Sequence, residues 1–247
     1  MNAFLSFRLQ IALLIVALFV LLVLTIWPAA DLAVSRALTD GKGNFIATEM
    51  GFPVVMSAVL RHLMETTAIL SILYTIWLWI SRAAKDWRYC WTYLAGSFLI
   101  GPGIIVNLVL KENVGRARPA TVTQFGGESH FSAAFQISDQ CQTNCSFSSG
   151  EAALAATLSF TIVSLLWGGL SRRGRGWALL AGGLFLVTGA GLRVLLGRHF
   201  ASDVLVSVII AAIVTLSLYQ VLGIAAARSA FAPAMLRARL KALLWRG

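Results

Sequence analysis

Residues 177–224 read WALLAGGLFLVTGAGLRVLLGRHFASDVLVSVIIAAIVTLSLYQVLGI. Two apolar runs, 177–196 and 204–224, flank a short link that carries Arg198, His199 and Asp203. Each run supplies about the 20 residues that cross ~30 Å of hydrocarbon. Lipid offers the backbone no hydrogen-bond partner, so such a crossing run must be helical. Four more runs fall at 9–27, 54–80, 89–110 and 152–170. The ten-residue alternation of a membrane β-barrel is absent from the pattern. The expected fold is therefore all-α: a polytopic membrane protein, a six-transmembrane-helix bundle, read as one domain over 1–247. The run at 9–27, with Arg8 before it and small residues near Ala29, also reads as a cleaved leader, although it exceeds the usual apolar core of such a segment.

Composition agrees. The chain is 58% hydrophobic and 12% charged, against about 25% charged residues in soluble domains. Disorder and a soluble repeat array are excluded. The net charge of +10 invites a nucleic-acid reading, but the basic residues fall between apolar runs and form no single soluble face, so no nucleic-acid partner is expected. The lipid bilayer is the expected partner.

Basic residues orient the bundle. Arg8, Arg82, Lys85, Arg88, Arg172, Arg173, Arg175, Arg228, Arg237, Arg239, Lys241 and Arg246 gather on one side, twelve of the twenty, with Asp86 the one acid there. That side is expected to be cytoplasmic and to hold both termini. Loops 28–53, 111–151 and 197–203 then face outward, into a periplasm in a Gram-negative source. In the tail, 228–247, Leu236, Leu240, Leu243 and Leu244 share a helical face among basic residues, a pattern suited to the anionic membrane surface. The 111–151 loop, between the third and fourth spans, is long enough to suggest function. It carries Cys141 and Cys145, four apart, which in an oxidising compartment can close a small disulfide ring; the alternative is two free thiols or half of a metal site, although no His or Cys with ligand spacing stands nearby.

The outward polar residues favour a phosphate. Lys111 and Arg118 are seven apart, two turns if that segment is helical. Arg118 and Arg193 can fork onto phosphate oxygens, with Lys111 as a point charge. Ser149 and Gly150 precede the run at 152, where free N–H groups at a helix start suit an anion; a Ser there also serves as an ordinary N-cap. His199 and Asp203 are four apart, so on a helical turn Asp203 would hold one imidazole nitrogen and leave the other as a nucleophile. The three cations and the helix start neutralise the phosphate oxygens, so this chemistry needs no metal and no cofactor.

Lys111 followed after six residues by Arg118-Pro119, then Ser148-Ser149-Gly150-Glu151, then Arg193, His199 and Asp203 resembles the three motifs of the type 2 phosphatidic acid phosphatase superfamily. The resemblance implies metal-independent hydrolysis of a lipid phosphate through a phosphohistidine. Carried over by position, His199 is the nucleophile and Asp203 its orienting partner, while Lys111, Arg118, Arg193, Ser149 and Gly150 hold the phosphate. The departures are Ser148 in place of Pro and Glu151 in place of the His assigned to protonate the leaving oxygen. The cations around Glu151 favour its carboxylate, so three readings compete: Glu151 is the acid, His62 or His130 supplies the proton, or the site has degenerated, against which the retention of every other motif residue argues. The family's substrates include the 1-phosphate of lipid A, undecaprenyl diphosphate, phosphatidylglycerol phosphate and phosphatidic acid. The Ser-Gly-Glu variant, the cysteine loop and the short chain favour lipid A 1-phosphate in a bacterial inner membrane. An anionic-lipid transporter would use the cations but has no need of His199 beside Asp203. A lipid phosphotransferase would use both.

Overall fold

The computed structural model describes residues 7–232 and 234–235, and the amphipathic pattern from Leu236 onward lies outside them. The chain runs through α1 (Phe7–Ile26), α2 (Ala29–Arg36), α3 (Ile46–Glu49), α4 (Gly51–Ile80) and α5 (Lys85–Phe98). The helix continues past α5 as a π-helical stretch, Leu99–Leu110, into the short α6 (Lys111–Asn113). After the long loop come α7 (Gly150–Leu166), α8 (Arg172–Leu195), α9 (Ala201–Val221) and α10 (Ile224–Ala227). Among the described residues there is no strand, only isolated bridges at Thr39–Phe45 and Val122–Ser129.

Among the described residues five helices are long and apolar enough to cross a membrane, and a sixth crossing results if the pair Leu14–Ile26 and Ala29–Arg36 is one span. That pair is bent by 90°. Trp27 precedes Pro28, whose ring disfavours helical backbone in the residue before it, and the break falls there. The first span is thus followed by a short helix turned across its end, not by the plain loop expected over 28–53. The π-helical stretch contains Pro102, which has no N–H to offer the regular helical ladder.

α7 is the central helix. About 61% of its apolar window is buried, against 17% for α4 and α8. Ala152, Ala153, Ala155 and Ala156 are fully buried, and such small side chains let neighbouring helices close in. A Cβ at Gly189 of α8 would lie 2.9 Å from Ala155, so the α7–α8 contact depends on that glycine. At one end of the bundle Trp87, Tyr93, Leu165 and Tyr219 pack together with Phe231. The tail begins there as structure: Arg228–Phe231 forms a 3-10 turn, and Phe231 stacks on Trp87 at 4.6 Å. The opposite end is closed by the 114–149 loop, where Phe45, Ala117, Val122, Phe125 and Phe200 form a second core.

Candidate active site

The helical reading of Lys111 to Arg118 fails at Gly115. α6 stops at Asn113, and Gly115 turns the chain at φ +65°, where a Cβ would collide with the Ser138 carbonyl. Lys111 and Arg118 still converge, because the turn folds the motif back over the bundle end. Lys111 interacts electrostatically with Glu151, Arg118 and Arg193, and Arg118 with Arg198, Glu151 and Arg193. Nε and Nη2 of Arg118 donate to the Asn144 carbonyl at 3.2 and 2.7 Å.

Ser149 is the N-cap of α7, its hydroxyl accepting from the Ala152 N–H at 3.4 Å. Gly150 is the first residue of that helix, and a Cβ there would come within 2.7 Å of Asn107 Oδ1 from the π-helical stretch. Asn107, a polar interruption of the third apolar run, therefore lies against the start of the second motif. Ser148, in the place of the family's Pro, is buried.

His199 precedes α9 instead of lying within it, so the four-residue spacing to Asp203 does not fall on one helical turn. Nδ1 of His199 is 4.0 Å from Asp203 Oδ2 and 2.6 Å from the backbone carbonyl of Ser146. A carbonyl can only accept, so Nδ1 carries the proton and Nε2 holds the free lone pair. The expected Asp203–His199 hydrogen bond is absent because the carboxylate is already committed. Oδ2 accepts from Ser146 Oγ at 2.5 Å and from the Phe200 N–H at 2.9 Å, while Oδ1 accepts from Arg116 at 2.5 Å.

Arg116 is wholly buried. Nη2 pairs with Asp31 Oδ2 of α2 at 2.9 Å, Nη1 reaches Ser202 Oγ at 2.9 Å, and Nε donates to the Ser132 carbonyl at 2.9 Å. Its guanidinium lies 4.3 Å over the Phe200 ring. Ser202 donates from its backbone N–H (3.0 Å) and its hydroxyl to Asp31. Removing one partner of a buried pair leaves an uncompensated charge at ~3–5 kcal/mol, so this cluster locks α2, the first-motif loop and the start of α9 together. None of Asp31, Arg116, Ser146 and Ser202 belongs to the three motifs read from the sequence. No local signal pairs Arg116 with a residue 85 positions away.

Nε2 of His199 has no hydrogen-bond partner among the described residues, and it lies 3.8 Å from Glu151 Oε2. The other oxygen of Glu151 pairs with Arg193 Nη2 at 3.1 Å, which fits a carboxylate. Nη1 of Arg193 donates to Ser57 of α4 at 2.9 Å. Burial pushes the imidazole pKa of His199 below its ordinary value, with Glu151 opposing, so the ring is neutral. Of the rival proton donors, His62 pairs with Glu65 at 3.7 Å on the exposed face of α4, and His130 lies in the loop, where its backbone N–H donates to Gln140 at 2.7 Å.

A buried, neutral imidazole with one nitrogen fixed and the other free can act as a nucleophile, and beside it Glu151 draws Lys111, Arg118 and Arg193 together into a cationic group that can hold an anion. The PAP2 superfamily profile matches residues 87–225, more than half of the chain and all three motifs. The chain belongs to the PAP2 superfamily.

Relatives narrow this PAP2 protein further. It is 33% identical over 196 residues to a lipid A 4′-phosphatase of Francisella tularensis subsp. novicida (strain U112), covering 77% of this chain and 85% of that one. It is 44% identical over 109 residues to a lipid A 4′-phosphatase of Rhizobium leguminosarum, covering 44% of this chain and 45% of that one. A lipid A 4′-phosphatase of Rhizobium etli is 41% identical over 111 residues, covering 44% and 40%. No solved structure matches the chain. This PAP2 protein is a lipid phosphatase, an enzyme that hydrolyses a membrane lipid phosphate.

Proposed function

We propose that the enzyme removes the 4′-phosphate of lipid A through a phosphohistidine on His199. The observation that carries the mechanism is the free, buried Nε2 of His199 beside Glu151 and the three cations. The position on the lipid is taken from the relatives, all named for the 4′-phosphate, where sequence features alone had favoured the 1-phosphate. The Lys/Arg asymmetry supports a bacterial inner membrane setting with both termini cytoplasmic and the site periplasmic.

In the first step Nε2 bonds to phosphorus as the bond from phosphorus to the lipid oxygen breaks, while Lys111, Arg118, Arg193 and the Gly150 end of α7 hold the phosphate oxygens. The leaving oxygen needs a proton. A phosphomonoester loses its second proton near pH 6, so the substrate itself can bring one, and Glu151 is placed to pass it on. In the second step water attacks phosphorus, the bond from phosphorus to nitrogen breaks, and Glu151 takes the water's proton.

The test is phosphate release by the purified protein from doubly phosphorylated lipid A, with mass spectrometry locating the phosphate that is lost. Phosphatidic acid, phosphatidylglycerol phosphate and undecaprenyl diphosphate run in parallel, with His199→Ala as blank. Loss from the 4′ position supports the proposal. Loss from the 1 position, or turnover of the other lipids alone, contradicts it. Phosphate appearing in a second lipid instead of in water identifies a phosphotransferase.

A further inference from the structure

Cys141 and Cys145 are joined by a disulfide, with Cα atoms 5.5 Å apart, and close a five-residue ring. What leaves that ring is wired into the catalytic centre. Asn144, inside it, adopts φ +52° and presents its carbonyl to Nε and Nη2 of Arg118. A guanidinium has five N–H donors in a rigid fork, so engaging one edge on Asn144 leaves the Nη1 edge for a phosphate. Cys145 is buried, and the next residue, Ser146, is fully buried and makes three ties. Its N–H donates to the Arg116 carbonyl at 2.8 Å, its hydroxyl to Asp203, and its carbonyl accepts from His199 Nδ1. Four residues after Ser146, α7 begins at Gly150. The tripeptide Asn144–Cys145–Ser146 thus touches the first and third motifs directly and leads into the second.

Every one of the contacts to Arg118 and His199 is made by a main-chain carbonyl. Substituting the side chains of 144–146 leaves these carbonyls in place, so the backbone path of 144–146 helps to set where the phosphate-binding fork and the nucleophile lie.

We propose that the Cys141–Cys145 ring is a positioning device for the phosphatase reaction, and that its redox state switches the enzyme between competent and impaired forms. This rests on the assignment of His199 and Arg118 to the reaction, and not on which lipid is cleaved. Reduction by a dithiol breaks the one sulfur–sulfur bond, delivers two electrons and two protons to give two cysteine thiols, and leaves the reductant as its own disulfide. The freed 141–145 segment then no longer holds the Asn144 and Ser146 carbonyls in place. A displacement of about 1 Å at a catalytic group costs ~10²-fold in rate.

The experiment uses the full chain in detergent micelles with any phosphate lipid it hydrolyses. Turnover is measured before dithiol treatment, after it with two new thiols verified, and after reoxidation. Cys90→Ser serves as background, since Cys90 is buried in the helical core away from the loop. The expected result is a ~10²-fold fall in kcat on reduction, a rise in KM from the loosened Arg118, and recovery on reoxidation. The Cys141→Ser/Cys145→Ser double variant is expected to hold the low value under both conditions. A ring that only stabilises the fold would lower the unfolding temperature and leave kcat and KM unchanged in the folded, reduced protein, which overturns the proposal. Because the Cys90→Ser chain with its ring intact is switched in place, misfolding of the Cys141→Ser/Cys145→Ser variant does not affect the outcome. If His199→Ala retains turnover in the same assay, the assignment beneath the proposal fails instead.

Discussion

His199 is held by the backbone carbonyl of Ser146 at 2.6 Å, while Asp203, the partner expected from motif spacing, lies 4.0 Å from the same nitrogen. Asp203 acts one step back, by fixing Ser146 Oγ, the Phe200 N–H and Arg116. The tautomer is therefore set by a group that mutation of Asp203 does not remove.

Asp203→Asn is expected to lower the thermal unfolding temperature while kcat in the folded fraction stays within about tenfold of wild type. A direct carboxylate partner would behave differently, because replacing one in a serine protease triad drops kcat by ~10⁴. Steady-state kinetics beside thermal unfolding separates the two, and a fall of that larger size with unchanged stability would restore Asp203 to direct contact.

Gly197 lies between the two third-motif residues Arg193 and His199, at φ +61°, and a Cβ there would come within 2.4 Å of the Phe45 ring. Its carbonyl also accepts from the Ala120 N–H at 3.0 Å, joining the third motif to the first. Gly197→Ala combines left-handed strain with a clash, for which ~1–3 kcal/mol of destabilisation is expected. Phe45→Ala alone empties part of a core at ~3–5 kcal/mol, so the two effects are separated by a double-mutant cycle: in the Phe45→Ala background Gly197→Ala should cost less than in wild type but still something, since the strain remains. Thermal unfolding of both single variants and the double variant decides, and no cost of Gly197→Ala in the Phe45→Ala background would show that the clash alone matters.

Burial lowers the His199 pKa, with Glu151 opposing. The neutral, nucleophilic ring is thus present at pH 7 and is protonated only as pH falls below the ordinary imidazole value of ~6.5. Nitrogen NMR of labelled histidine in the substrate-free protein, assigned with His199→Ala, reads this directly. A His199 midpoint at or above 6.5 would contradict the assignment of a desolvated, neutral ring.

Glu151 bridges Arg193 and His199. If it relays both protons, Glu151→Gln loses ~10²–10⁴ in kcat, and Glu151→His restores part of it by supplying another titratable group. Phosphate release in single turnover and at steady state checks both steps. Full turnover by the Gln variant would remove Glu151 from proton transfer and leave it as a partner of Arg193.

Much of the fold was legible because hydropathy and membrane thickness leave few choices, and the expected runs from 54 onward all became helices with ends shifted by a few residues. The outward polar residues were legible for the same reason, since charge at membrane depth needs a function or a partner. What escaped depended on backbone outside the spans. Gly115 turns Lys111 and Arg118 toward one another without a helix, and α9 starts two residues after His199, so helical spacing misplaced the partner of the imidazole. Asp31 was hidden because α2 is short and turned across the end of the first span, and its charge acquires meaning only against Arg116, brought near by the folded loop.

The central claim is that Nε2 of His199 forms the covalent bond to phosphorus. The most direct measurement is rapid quenching with alkali of the enzyme turning over a ³²P-labelled lipid, followed by mapping of the label. The account predicts an alkali-stable, acid-labile phosphohistidine on the peptide containing His199, absent in His199→Ala, which should also lose turnover. Wild-type turnover by His199→Ala, or a label mapped to any other residue, would contradict it.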